Sequence, residues 1–217
     1  MQRLGLFSGP DGPKRILVLG AHPDDIEIGC GGTMLRLAAE RPDAEVLWVV
    51  LAANEERARE AESSARAFLQ GFARSRLVVK RHRDGFLPWS GAAVKEDFEA
   101  LKREVSPDVV FTHFLQDRHQ DHRLVAELTW NTWRNHLILE YEIPKYDGDF
   151  GTPNLFSPLS AATVERKIAL VREHFPSQAE KHWLTPDLLR AVARIRGMEC
   201  VAPEALAEAF TCRKAVF

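Results

Sequence analysis

The run Val46-Leu47-Trp48-Val49-Val50-Leu51 is apolar at six consecutive positions. It is too short for a core helix and lacks the alternation of a strand with one wet face, so it reads as a strand covered on both sides. Parallel sheets build such strands, because their crossover helices lie over both faces. Ile16-Leu17-Val18-Leu19, Leu77-Val78-Val79, Val109-Val110-Phe111-Thr112-His113 and residues 138–143 repeat the pattern. Helical spacing fills the intervals. Residues 31–41 line up Met34, Leu35, Leu37 and Ala38. Residues 55–70 line up Ala58, Ala61, Ala65, Phe68 and Leu69, and residues 92–105 line up Val94, Phe98, Leu101 and Val105.

A fourth helix follows Asp117-Arg118-His119-Gln120-Asp121-His122 and continues to about Arg134. Residues 1–14 read as a loose lead-in. Residues 144–160, with Gly148, Gly151, Pro153 and Pro158, read as a long loop. Ser160 caps a helix over 161–175, and Thr185-Pro186 opens another that ends near Gly197. Ala209-Phe210 and Ala215-Val216-Phe217 are expected to add an edge strand. The expected class is therefore α/β, a Rossmann-like three-layer fold with a mostly parallel sheet and helices on both faces. The 217 residues suit one domain, 1–217, with a sizeable core. In the common strand order 3-2-1-4-5, strands one and four are neighbours where the winding reverses.

The formal net charge of −2 argues against nucleic acid or an anionic membrane as partner. No apolar run reaches the length of a membrane span, and the first residues lack the apolar stretch of a secretory signal. Cys30, Cys200 and Cys212 are widely spaced with no CxxC pair, which fits reduced thiols in a cytoplasm. A small molecule is the expected partner, and the sequence is compatible with a homo-oligomer.

Two polar clusters sit where such a fold places its sites. The first, His22-Pro23-Asp24-Asp25, follows strand one directly. Pro23 keeps His22 extended while the chain turns after it. His22 and Asp25, three apart, can converge on one metal ion, with Asp24 aimed elsewhere. The second is His119-Gln120-Asp121-His122, after strand four. Taken singly, each has a plain structural explanation in helix-capping aspartates and surface histidines. Together they supply two histidines and a carboxylate with an open position, the ligand set of a catalytic zinc. The same set also holds Fe2+ in oxygenases, and another divalent ion is compatible with it. On this reading His22, Asp25 and one of His119 and His122 bind the ion and Asp24 serves as base. The remaining histidine meets an oxyanion or protonates an amine, with Asp117 or Asp121 holding it charged.

These residues resemble the LmbE-like (PIG-L) N-acetylglucosaminyl deacetylases, zinc hydrolases that remove acetyl from N-acetylated sugars. The likeness rests on Ala21-His22-Pro23-Asp24-Asp25, the glycines that follow, and His119-Gln120-Asp121-His122. It extends to Arg57 through Leu69, to Lys167, His174 and Ser177-Gln178, and to Glu208-Ala209-Phe210. It implies His22, Asp25 and His122 as ligands, Asp24 as general base, and His119 as oxyanion partner or acid. Where many members carry Gly-Glu after strand two, this chain has Asn54-Glu55. Arg57, Tyr141, Lys145 and His174 are further candidates for sugar contacts.

Two other classes of function fit the sequence less well. A non-catalytic Rossmann-like binder of sugar or nucleotide is disfavoured, because Met34 stands where a dinucleotide fingerprint needs its third glycine. An Fe(II) oxygenase is disfavoured by fold-level analogy, since those enzymes are usually β-rich barrels.

Overall fold

The computed structural model describes residues 5–7 and 12–216. Most of the expected lead-in, and Phe217 at the end of the tail, lie outside the described residues. Seven strands form one sheet: β1 (Arg15–Gly20), β2 (Glu45–Ala52), β3 (Arg74–His82), β4 (Val109–His113), β5 (Leu137–Tyr141), β6 (Leu155–Pro158) and β7 (Ala207–Thr211). Six α-helices accompany them: α1 (Asp25–Glu40), α2 (Glu55–Phe68), α3 (Gly91–Glu104), α4 (Gln120–Thr132), α5 (Ala161–His174) and α6 (Pro186–Glu199). The strand order is β3-β2-β1-β4-β5-β7-β6, with neighbours parallel through β5 and β7 antiparallel to both β5 and β6.

Successive strand residues face opposite sides, and the core divides accordingly. Ile16, Val18, Val46, Trp48, Val50 and Phe111 pack with Met34, Phe68, Ile168 and Leu189 under α1, α2, α5 and α6. Leu17, Leu19, Leu47, Val49 and Val110 pack with Val94, Phe98, Val125 and Trp133 under α3 and α4. Both faces of the sheet are thus covered, which makes the three layers. β1 pairs with β4 in register Val18 with Phe111, so the loops after Gly20 and His113 emerge side by side.

The structure corrects three boundaries. Helix α1 begins at Asp25 rather than near Gly31, carrying its glycines inside the helix. Glycine weakens an isolated helix, but here it permits close packing: a methyl at Gly29 would overlap the Tyr141 ring, and one at Gly31 the Phe68 ring. The loop 144–160 contains β6, a short edge strand whose terminal Pro158 is tolerated there. The C-terminal strand β7 is interior, between β5 and β6, rather than an edge.

Candidate metal centre and active-site cleft

His22 and Asp25 stand where β1 turns into α1, and His122 in the first turn of α4. The three residues form a small triangle in which Asp25 turns a different oxygen to each ring. His22 Nδ1 lies 3.3 Å from His122 Nε2 and 3.4 Å from Asp25 Oδ2; His122 Nε2 lies 3.4 Å from Asp25 Oδ1. An ion with tetrahedral bonds of about 2.0–2.1 Å holds its ligand atoms about 3.3–3.4 Å apart. The donors therefore fit a zinc-class ion.

The opposite nitrogen of each ring has a carboxylate. His22 Nε2 meets Asp121 Oδ2 at 3.0 Å and Asp84 Oδ1 at 3.1 Å. His122 Nδ1 meets Asp117 Oδ2 at 3.0 Å. In the neutral rings those protons would point outward, turning His22 Nδ1 and His122 Nε2 toward each other as ligand atoms; burial is outweighed by Asp121, Asp25 and Asp117, which raise the pKa of both rings. Asp121 is itself fixed by the amides of Gly85 and Leu87, at 2.8 and 3.1 Å. Burial favours an uncharged Asp117, but the hydrogen bond and charge of His122, with help from Lys145, hold its pKa below the carboxylate range.

Asp24 differs from its neighbour. Its φ of 92° is left-handed, a strained conformation for a residue with a side chain. At the start of α1 it makes no side-chain cap; its Oδ2 instead accepts from Arg57 Nη2 at 2.9 Å. Arg57 is held in turn by Pro23 O, by Glu60 Oε2 at 2.6 Å and by Ser177 Oγ at 3.2 Å. Burial pushes the Asp24 carboxyl up to about 7, against the pull of Arg57. For Asp25 the balance reverses: burial is outweighed chiefly by His122, which keeps it well below the usual range.

His119 caps α4, its Nδ1 accepting the amide of Asp121 at 3.2 Å. In the neutral ring that leaves the proton on Nε2. Burial, together with His122 and His22, holds its pKa below the ordinary value. The expectation that Asp117 or Asp121 would keep this histidine charged is thereby corrected. Asp117 faces His122 and accepts only the backbone amide of His119, at 2.8 Å.

His22, Asp24, Asp25, His119 and His122 open onto one cleft of about 930 Å³, bounded by the ends of β2 and β3, residues 143–147 and residues 177–183. Arg57 and Lys145 line it too, but as supports. Lys145 Nζ is held by Asp117 Oδ2 at 2.8 Å and Asp149 at 2.7 Å. Two expected sugar contacts fall elsewhere. Tyr141 is still within β5, so its ring points into the core against Gly29 and its hydroxyl donates to Leu19 O at 2.6 Å. His174 meets Ser63 Oγ at 2.9 Å, where α5 packs on α2.

His113 was not singled out from the sequence. It is fully buried, stacks on His122 with ring centroids 3.9 Å apart, and its Nε2 accepts the amide of Ala21 at 3.0 Å. With that lone pair engaged, it backs the triangle rather than joining it. Burial and His122 lower its pKa to about 4, so it is neutral. Its place at the carboxyl end of a buried strand was the signal available.

The chain is similar to known proteins in sequence and in fold. Over 185 residues the chain is 29% identical to the uncharacterized deacetylase YaiS of Escherichia coli K12, covering 78% of this chain and 95% of that one. Its fold matches N,N'-diacetylchitobiose deacetylase from Pyrococcus horikoshii with a TM-score of 0.72 at 24% identity, over 92% of this chain and 84% of that one. It also matches GalB, the 4-carboxy-2-hydroxymuconate hydratase of Pseudomonas putida KT2440, with a TM-score of 0.72 at 18% identity, over 94% and 98% of the two chains. At these identities the structural likenesses establish the fold. The PIG-L family model, described as GlcNAc-PI de-N-acetylase, matches residues 17–133, more than half of the sequence and both polar clusters, and the chain belongs to that family.

Proposed function

We propose that this protein is a metal-dependent amide hydrolase that removes the acetyl group from an N-acetylated amino sugar or its glycoside. The observation that carries the reading is the donor triangle, in which two imidazole nitrogens and a carboxylate face one another at 3.3–3.4 Å. Such a grouping is stabilised by a cation at its centre. His22, Asp25 and His122 would hold the ion, zinc being the best fit and Fe2+ an alternative. When bound, a divalent ion supplies Lewis acidity, lowering the pKa of a coordinated water and polarising a carbonyl.

Asp24, with its carboxyl near neutrality, takes a proton from the attacking water as the C–O bond forms. His119 donates from Nε2 to the oxygen that gains charge, and in this role a neutral ring suffices. Asp24 then returns the proton to nitrogen as the C–N bond breaks, releasing acetate and a free amine. Arg57 holds Asp24 in place, while Asp117 and Asp121 orient the two ring ligands. The deacetylases among the relatives support the substrate class. GalB shows that the fold alone does not select the reaction. Among the described residues no helix is long and apolar enough to cross a membrane; three free cysteines are in keeping with a reducing cytoplasm.

The test is amine and acetate release from N-acetylglucosamine and a panel of its glycosides, with metal content measured on the same samples. One ion per chain, turnover with it, and reversible loss on chelation are expected. Protein that takes up no ion overturns the metal reading. Metal-replete protein that releases no amine from any of the panel overturns the substrate class.

A further inference from the structure

The outer end of the cleft has a different chemistry from its floor. There β3 runs out through Lys80-Arg81-His82-Arg83, a basic run hidden in a chain of net charge −2. Lys80 and His82 both reach Asp97 of α3, at 2.6 Å each. Arg81 and Arg83, the alternate residues, line the cleft and are exposed. Among the described residues neither is in ion-pair contact with a carboxylate. Arg81 Nη1 donates to the Asn54 carbonyl at 2.9 Å, and the Arg83 guanidinium lies over the Phe86 ring, 3.6 Å from its centroid.

This contrasts with the cations of the floor. Arg57 is neutralised by Asp24 and Glu60, and Lys145 by Asp117 and Asp149. Glu56, Asp84 and Asp147 also line the cleft. Asp84 is engaged with His22 at 3.1 Å, and the other two form no ion pair with Arg81 or Arg83 among the described residues. Surface arginines usually point freely into solvent. These two are braced, one by a carbonyl and one by a ring, with most of their donors open. A braced guanidinium loses less side-chain entropy when it grips an oxyanion, and its planar fork matches carboxylate and phosphate alike.

We propose that Arg81 and Arg83 form an anion subsite, receiving a carboxylate or phosphate carried by the substrate on the side away from its N-acetyl group. The inference rests on the cleft being the hydrolytic site. It narrows the substrate from any N-acetyl sugar to one whose attached group is acidic.

Three compounds test it: the methyl glycoside of N-acetylglucosamine, N-acetylglucosamine 1-phosphate, and the glycoside formed with glycolic acid. Wild-type protein is expected to favour at least one acidic compound by about tenfold or more in kcat/KM, as for one good charge-assisted contact. The compound favoured separates phosphate from carboxylate. In the Arg81→Gln/Arg83→Gln variant the ratio of acidic to neutral kcat/KM should fall toward one. Added salt should erode the wild-type preference in the same direction. A wild-type ratio near one, or a ratio that the double variant leaves unmoved, overturns the subsite. Calorimetric titration covers the case in which no N-acetyl sugar is cleaved. It would use glucose 1-phosphate and the glycolic acid glycoside of glucose, against methyl glucoside, none of which has an amide. Tighter binding of either acidic compound, lost in the double variant, would uphold the subsite while the deacetylase reading fell. Equal binding of all three in both proteins would sink it independently.

Discussion

Helix α1 carries two buried charged clusters, one in its middle and one at its start, and they are built in opposite ways. In the middle, Glu208 accepts the amides of Gly32 and Thr33 at 2.8 and 2.6 Å. Lys167 lies 2.7 Å from that carboxylate and donates to the Ile28 carbonyl at 2.6 Å. One cation meets one anion, and the remaining polar groups are satisfied by backbone. At the start, two imidazole nitrogens and a carboxylate crowd together at 3.3–3.4 Å. Adjacent carboxylates are driven apart, Asp24 up to about 7 and Asp25 well below the usual range. His113 Nδ1 is buried with no partner. The middle cluster is complete in itself and holds the helix in the fold. The one at the start leaves like groups crowded together, the arrangement that the proposed ion would complete.

The largest effect that would sharpen this contrast is expected from Asp25→Ala. Removing one donor of the triangle should cost the ion and bring turnover below detection, while the protein stays folded. Elemental analysis beside circular dichroism checks it. A variant that keeps both metal and rate would dissolve the distinction between the clusters.

Asp24→Asn should come next. The ion should stay, and kcat should fall by roughly 10²–10⁴-fold, the usual range for losing a general acid or base. Metal loss equal to that of Asp25→Ala would show that the neighbours share one role.

Glu208→Ala probes the other cluster. It leaves the Lys167 ammonium buried without its partner, a change that costs about 3–5 kcal/mol in comparable pairs. Denaturant unfolding should show that loss, while the surviving folded protein keeps its metal content and most of its kcat. A stable variant with an emptied metal site would mean that the two clusters are one functional unit.

Much of this was legible in the residues. Uninterrupted apolar strands require covered faces, so Val46 through Leu51 already implied a parallel sheet between helices. His22, Asp25 and the histidines after β4 followed from the place of strand ends at a reversal of winding. Polar residues at such ends are aimed by the backbone within a turn or two, and local sequence encodes that.

What only the tertiary structure decided depends on partners far along the chain. Tyr141 was legible as a residue near a strand end; whether it faced cleft or core hung on one residue of strand length and on the space left by Gly29. Arg57 was legible as a candidate sugar contact; Asp24, Glu60 and Ser177, closing around it, make it a support. β6 is four residues ending in proline, and only its pairing with β7, some fifty residues later, makes it a strand. His113 became part of the site by stacking on His122 from the next helix. The sequence by itself determined the class of fold and offered the candidate donors, because both follow from short-range pattern. The structure decided which side chains face the cleft, which are locked in support, and which pKa values part, because burial and long-range contact set all three.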